Sequence, residues 1–267
     1  MGQSGLFQRP ARVAAVSLVL YGCAAVPVEP ERSPRPGTMS GQRGRPGLVI
    51  AAPHGTSDAF TGEIAAEIAR RTGFGLVVAS DFALEPDRRE RVGRRFQVNR
   101  PTEGIPGRPP GEEIVSDAAR HAYDEFERRV MDVARGQLQL YVEIHGNGRR
   151  LSAGQLEIAT VGLEPNDAWR VRTLLELVRD ARLRAQPDAP RLAVLVQPID
   201  RIRYLASGAK QAGILRHPVR ALHIEIPRSA RTEWRAVYTD VLAQFLSEAV
   251  PVLTAPPPAS ALPSARP

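Results

Sequence analysis

Leu48-Val49-Ile50-Ala51-Ala52, Pro53-His54-Gly55-Thr56-Ser57-Asp58, a mixed stretch over 61–71 and Phe74-Gly75-Leu76-Val77-Val78-Ala79-Ser80 follow one another closely. The first and last are short apolar runs rich in β-branched residues, as buried strands are. Between them Ile64, Ala65 and Ile68 share one face at helical spacing, and Gly73 stands where a helix C-cap would. A strand, a helix and a second strand in this order predict an α/β fold whose polar residues gather at strand ends.

The same alternation continues outward. Helices are predicted over 112–135, 166–185 and 233–249, and strands over 138–145, 155–160, 191–197 and 221–226. The pattern predicts a three-layer α/β/α domain with a mostly parallel mixed central sheet. No internal repeat is evident. A long arginine-rich loop is expected from Ser80 through Asn99.

The 267 residues, 43% of them hydrophobic, are enough for one such domain with appendages. The formal charge of +7 rests almost wholly on arginine, Lys210 being the only lysine, and the arginines are spread along the chain. With no concentrated basic run and no aromatic platform, nucleic acid is not an expected partner. At the start, Arg9 and Arg12 precede an apolar run from Val13 to Leu20, too short to span a bilayer. Leu20-Tyr21-Gly22-Cys23 then resembles a bacterial lipobox, with Cys23, the only cysteine, as the lipidated residue. The expected organisation is a lipoprotein signal peptide over 1–23, a disordered tether over 24–46, a catalytic domain over 47–250 and a Pro/Ala-rich disordered tail over 251–267. A lipid anchor in the bacterial cell envelope follows, the alternative being a soluble exported protein cleaved nearby.

Four segments carry candidate chemistry: PHGTSD (53–58), VNRP (98–101), EIHGN (143–147) and HIEIP (223–227). His54 and Asp58 offer one neutral nitrogen and one anionic oxygen, a pair that suits zinc. Taken alone they read first as a loop histidine and a helix N-cap aspartate. His145 ends a strand and supplies a third ligand, leaving a fourth position for water. Glu143 shares its face and can orient the imidazole, or can merely pair with it. Glu225, enclosed by Leu222, Ile224 and Ile226, is a carboxylate on a buried strand and a candidate general base. His223 on the same face can assist it, but reads first as a structural histidine. Arg100, held before Pro101, can clamp a substrate carboxylate while Asn99 adds a hydrogen bond. Arg149, Arg150 and Arg228 read as solvated loop residues at the margin of such a pocket.

Together these segments resemble the N-formylglutamate amidohydrolase family, a branch of the zinc carboxypeptidase-like hydrolases, over roughly 47–249. The resemblance implies a carboxypeptidase/phosphorylase-hydrolase-like fold, zinc on His54, Asp58 and His145, a substrate carboxylate on Asn99 and Arg100, and Glu225 as catalytic base and acid. Glu143 stands where the family usually has Asp, and Gln97 where an acid often precedes the Asn-Arg pair. Because an export signal is expected at the start of the chain, a cytoplasmic N-formylglutamate substrate fits poorly. The expected activity is hydrolysis of an amide or peptide bond beside a free carboxylate, in an acylated amino acid or peptide. A lipoprotein that only binds a carboxylated ligand or envelope polymer is the alternative, distinguished by its having no use for Glu225.

Overall fold

The structure, a computed structural model, describes residues 37–82, 96–105, 108–109 and 111–255. Its strands are β1 (Thr38–Gln42), β2 (Arg45–Ala52), β3 (Phe74–Ser80), β4 (Glu103–Gly104), β5 (Glu113–Ile114), β6 (Leu140–Asn147), β7 (Gln155–Val161), β8 (Ala193–Val196) and β9 (Arg220–Pro227). The helices are α1 (Thr61–Thr72), α2 (Asp117–Ala134), α3 (Pro165–Leu183), α4 (Ser207–Ala212), α5 (Arg228–Arg231) and α6 (Arg235–Thr254). Seven strands form one sheet in the order β1-β3-β2-β6-β9-β7-β8, and β4 pairs with β5 apart from it.

Strands β3, β2, β6 and β9 run parallel. Strands β1 and β7 pair antiparallel with β3 and β9, and β8 is parallel to β7. The sheet is therefore mixed and mostly parallel, as expected. Helices α1, α3 and α6 cover one face over a core that includes Ile50, Val142, Ile144, Leu222 and Phe245. Helix α2 and the segment around α4 cover the other, over Val49, Tyr141, Phe126 and Ile214. Alternate residues of β6 thus serve two cores: Leu140, Val142 and Ile144 face α6, while Tyr141, Glu143 and His145 face the α2 side. From β2 the chain steps outward to β3, then returns past β2 to β6. The point where the strand order reverses lies between β2 and β6, where open α/β sheets leave a crevice.

Some expected boundaries shift. The tether expected over 24–46 ends earlier: Thr38–Gln42 is an edge strand paired along β3, and β2 begins at Arg45. Strand β1 is almost wholly exposed, held by backbone pairing instead of apolar burial, so composition does not reveal it. The helix expected from 112 starts after Ser116, whose hydroxyl accepts the Ala119 N–H at 3.1 Å. Residues 113–114 pair with β4 instead. Helix α6 runs through Pro251 to Thr254 because Val250 and Leu253 are still buried, so the expected tail loses its first residues. The signal peptide, the lipobox with Cys23 and the tail beyond 255 lie outside the described residues, as does most of the arginine-rich loop.

Candidate metal centre

Pro53 closes β2, and Gly55 lets the chain cross tightly over the end of β3: its N–H donates to Ala79 O at 2.8 Å, and a Cβ there would meet that oxygen at 3.0 Å. The Asp58 N–H then donates to His54 O at 2.8 Å, one helical turn that puts the two side chains on the same side. The Asp58 carboxylate does not cap α1. It accepts the Gly146 N–H at 3.1 Å, joining the β2 loop to β6.

His54 Nδ1 lies 3.3 Å from Asp58 Oδ2, and His145 Nδ1 lies 3.6 Å from the same oxygen. Both Nε2 atoms point away, His54 Nε2 to Gln97 O at 3.0 Å and His145 Nε2 to Glu143 Oε2 at 3.2 Å. A carbonyl or carboxylate oxygen can only accept, so each Nε2 is the protonated nitrogen and each Nδ1 presents its lone pair when the ring is neutral. One donor atom from each of His54, Asp58 and His145 falls within 4.8 Å of the others, and all three residues are buried. Two imidazole nitrogens and a carboxylate, with the far ring nitrogens held by acceptors, fit a divalent zinc with room for a further ligand.

Beneath this triad lies Glu143, wholly buried. Its Oε2 accepts from His145, from His223 Nδ1 at 2.8 Å and from Asn99 Nδ2 at 3.2 Å, and its Oε1 from the Tyr141 hydroxyl at 3.0 Å. Burial would raise the Glu143 pKa, but the hydrogen bonds from His145 and His223 outweigh it and hold the carboxyl below the ordinary range. Burial likewise disfavours a charged His145, yet Asp58, Glu143 and Glu225 push its pKa up to about 9. A proton therefore occupies His145 at neutral pH unless a metal displaces it.

Strand register brings in the remaining groups. Glu225 of β9 is the pairing partner of His145, and His223 that of Glu143, so all four project on one face. Glu225 Oε1 lies at hydrogen-bond distance from His223 Nε2, 3.1 Å, and its Oε2 is buried without a hydrogen-bond partner among the described residues. His223 stacks on His145 with centroids 4.0 Å apart and bridges two carboxylates. It is a wall of the site, where the sequence favoured a structural residue over one assisting Glu225. Because β7 runs antiparallel, it places the wholly buried Glu157 opposite Glu225. Glu157 Oε2 accepts the backbone N–H groups of Arg203 and Tyr204 at 2.6 and 3.1 Å, tying that loop to the sheet.

A cavity of about 570 Å3 opens over the centre, lined by His54, Asp58, His145, His223 and Glu225 and rimmed by Arg100, Glu113, Arg149 and Tyr204. Arg149 lies over the Tyr204 ring at 5.2 Å. Arg100 reaches the cavity, but it meets Glu113 in a two-point pair, Nε to Oε2 at 3.0 Å and Nη2 to Oε1 at 2.6 Å. Asn99 differs from expectation. It is wholly buried behind the wall, its amide spent on Glu143 and its oxygen on Arg100 Nη1 at 3.3 Å, so it supports the site from below instead of reaching a substrate. Sequence reasoning had no signal for the Gln97 carbonyl, for Glu157 or for the positions of Glu113 and Tyr204.

No protein-family profile matches the chain, and no curated protein matches it in sequence. Among solved structures it is similar to a bacteriophage poly-gamma-glutamate hydrolase, at 14% identity over 80% of this chain and 87% of that one, TM-score 0.43. It is also similar to the zinc-free form of YNDL, at 10% identity over 81% and 92%, TM-score 0.48. A third is the gene product Atu2144 of Agrobacterium tumefaciens, at 14% identity over 81% and 93%, TM-score 0.40. At such identities the roles of residues rest on the geometry of this chain's own site.

Proposed function

We propose that the chain is a zinc-dependent hydrolase of the amidohydrolase or carboxypeptidase type, cutting an amide bond beside a substrate carboxylate. The observation that carries this reading is the shared orientation of His54 and His145. Both direct Nδ1 at Asp58 and commit Nε2 to an acceptor, with Glu225 one strand away on the same face.

Zinc held by His54, Asp58 and His145 would supply a Lewis acid that polarises the scissile carbonyl and acidifies water. Glu225 accepts the proton of the attacking water as its oxygen bonds to the carbonyl carbon, then delivers that proton to the nitrogen as the C–N bond breaks. His223, hydrogen-bonded to Glu225 Oε1, fixes the orientation of that carboxylate. Glu143 keeps both imidazoles oriented. Arg100 receives the substrate carboxylate on the part of its guanidinium that Glu113 leaves open. N-formylglutamate-like, γ-glutamyl and cell-wall peptides are the classes to screen. The apolar run from Val13 to Leu20, with Cys23 shortly after it, supports action in the bacterial envelope from a lipid anchor.

The test is Glu225→Gln, which keeps shape and donor set. Zinc content should be unchanged while turnover falls roughly 100-fold or more. Full activity in that variant would make Glu225 structural. If zinc-loaded wild type turns over none of the screened substrates, the chain binds a carboxylated ligand without cleaving it.

A further inference from the structure

Arg231 is a buried arginine at the end of the one-turn helix α5, which follows β9 directly. That turn folds its side chain back beneath the strand ends. Nε donates to Ile226 O at 3.0 Å and Nη1 donates to Ala59 O at 2.5 Å. The guanidinium also fills the space that a side chain at Gly146 would need, since a Cβ there would lie 2.4 Å from its Cζ. These three contact points have one thing in common. Ala59 follows Asp58, Ile226 follows Glu225 and Gly146 follows His145. A single planar group therefore touches the backbone immediately beyond two candidate metal ligands and beyond the candidate base.

No carboxylate lies within ion-pair distance of this guanidinium among the described residues. Burial holds its pKa below the ordinary arginine value, and the charges of Asp58 and Glu225 only partly oppose that, with Arg228 adding to it. Arginine cannot relieve burial by losing its proton. A charged group in that position is costly to bury, and its hydrogen bonds go to two backbone carbonyls, one on the Asp58 loop and one at the end of β9. Its planar fork holds two acceptors in one plane, a restraint that a flexible ammonium does not impose.

The geometry points to Arg231 as a positioning residue that sets the separation of the Asp58 loop, the His145 strand end and the Glu225 strand end. This rests on the metal-centre reading above. Gly146 is its counterpart: the position has no Cβ because the guanidinium occupies that volume. Without the brace the Asp58 loop can move away from His145 while the sheet itself stays intact.

The experiment measures zinc affinity by competition with a chromogenic chelator, alongside thermal melting in chelator, for wild type, Arg231→Met, Arg231→Lys, Gly146→Ala and the Arg231→Met/Gly146→Ala double variant. Arg231→Met should bind zinc roughly 10–100-fold more weakly, as loss of a group supporting a metal ligand does. Arg231→Lys, able to keep the charge and one of the two hydrogen bonds, should fall between. Gly146→Ala should weaken binding in the wild-type background by displacing the guanidinium. In the Arg231→Met background it should add little, because the group it displaces is gone. Wild-type affinity in folded Arg231→Met, or full additivity of the two substitutions, overturns the brace. So does failure of all the variants to fold, since Arg231 then serves the fold and not the site. If wild type itself binds no zinc, the metal centre fails instead, which separates the two readings.

Discussion

Replacing Glu143 by glutamine isolates the charge beneath the metal centre from its shape. The carboxylate accepts four hydrogen bonds, three on Oε2 from His145, His223 and Asn99 and one on Oε1 from Tyr141. A glutamine oxygen placed at the Oε2 position keeps the first three, and its NH2 then faces a Tyr141 hydroxyl that can rotate to accept. What disappears is charge. A hydrogen bond to a charged group contributes about 1 kcal/mol more than a neutral one, and two imidazoles are affected. The bond to His145 acts directly on the metal ligand, and the bond to His223 acts through the stacked ring. Zinc affinity should therefore fall by about 1–2 kcal/mol, roughly 5–30-fold. Chelator competition at pH 7 reads this directly. Melting in chelator gives the metal-free contribution, and the sign follows from the lowered Glu143 pKa. Stabilisation by a depressed carboxyl is fully present above its unfolded value of about 4.3 and is lost as pH falls below it. The melting difference between wild type and Glu143→Gln should accordingly persist above about pH 5 and shrink in acid. Unchanged zinc affinity in a folded Glu143→Gln would refute the view that this carboxylate governs the ligand.

The raised pKa of His145 predicts that zinc must displace a proton below about pH 9, so affinity should climb close to tenfold per pH unit between pH 7 and pH 8.5 and level off above; a flat profile would contradict it. The same shift makes His145 stabilise the metal-free fold below its unfolded value near 6.5, an effect lost as pH rises through about 9. Arg100→Ala should raise KM for carboxylated substrates with little change in kcat, whereas Glu113→Gln, by opening the guanidinium, should lower it. An Arg100→Ala KM equal to wild type removes the clamp from the mechanism. Cys23→Ser should abolish fatty-acid labelling and release the chain from membranes, and equal labelling of both forms would leave no lipid anchor at that residue.

Much of the architecture was legible locally. Apolar runs such as 48–52 and the helical spacing of Ile64, Ala65 and Ile68 bury a face whatever lies opposite, so strand and helix follow from the periodicity of short segments. The same reasoning located His54, His145 and Glu225 at the ends of buried strands, since a polar group closing an apolar run must emerge at a sheet edge. Edge strand β1 escaped notice because backbone pairing holds it and hydrophobicity does not.

Which side chains meet was decided by tertiary structure. Register across β6, β9 and β7 sets His145, Glu225 and Glu157 in one row, and no spacing within a single strand encodes that order. A backbone carbonyl such as that of Gln97 carries no residue signature, so the partner fixing the His54 ring is invisible in sequence. Arg100 and Arg231 are two among many arginines. One is distinguished only by the carboxylate the fold places against it, the other by two carbonyls and a missing Cβ. Which faces are buried and where polar groups emerge could be read from local sequence, because burial is a property of short segments. The choice of partners for those groups belonged to the crossovers and the register, which join residues far apart in the chain.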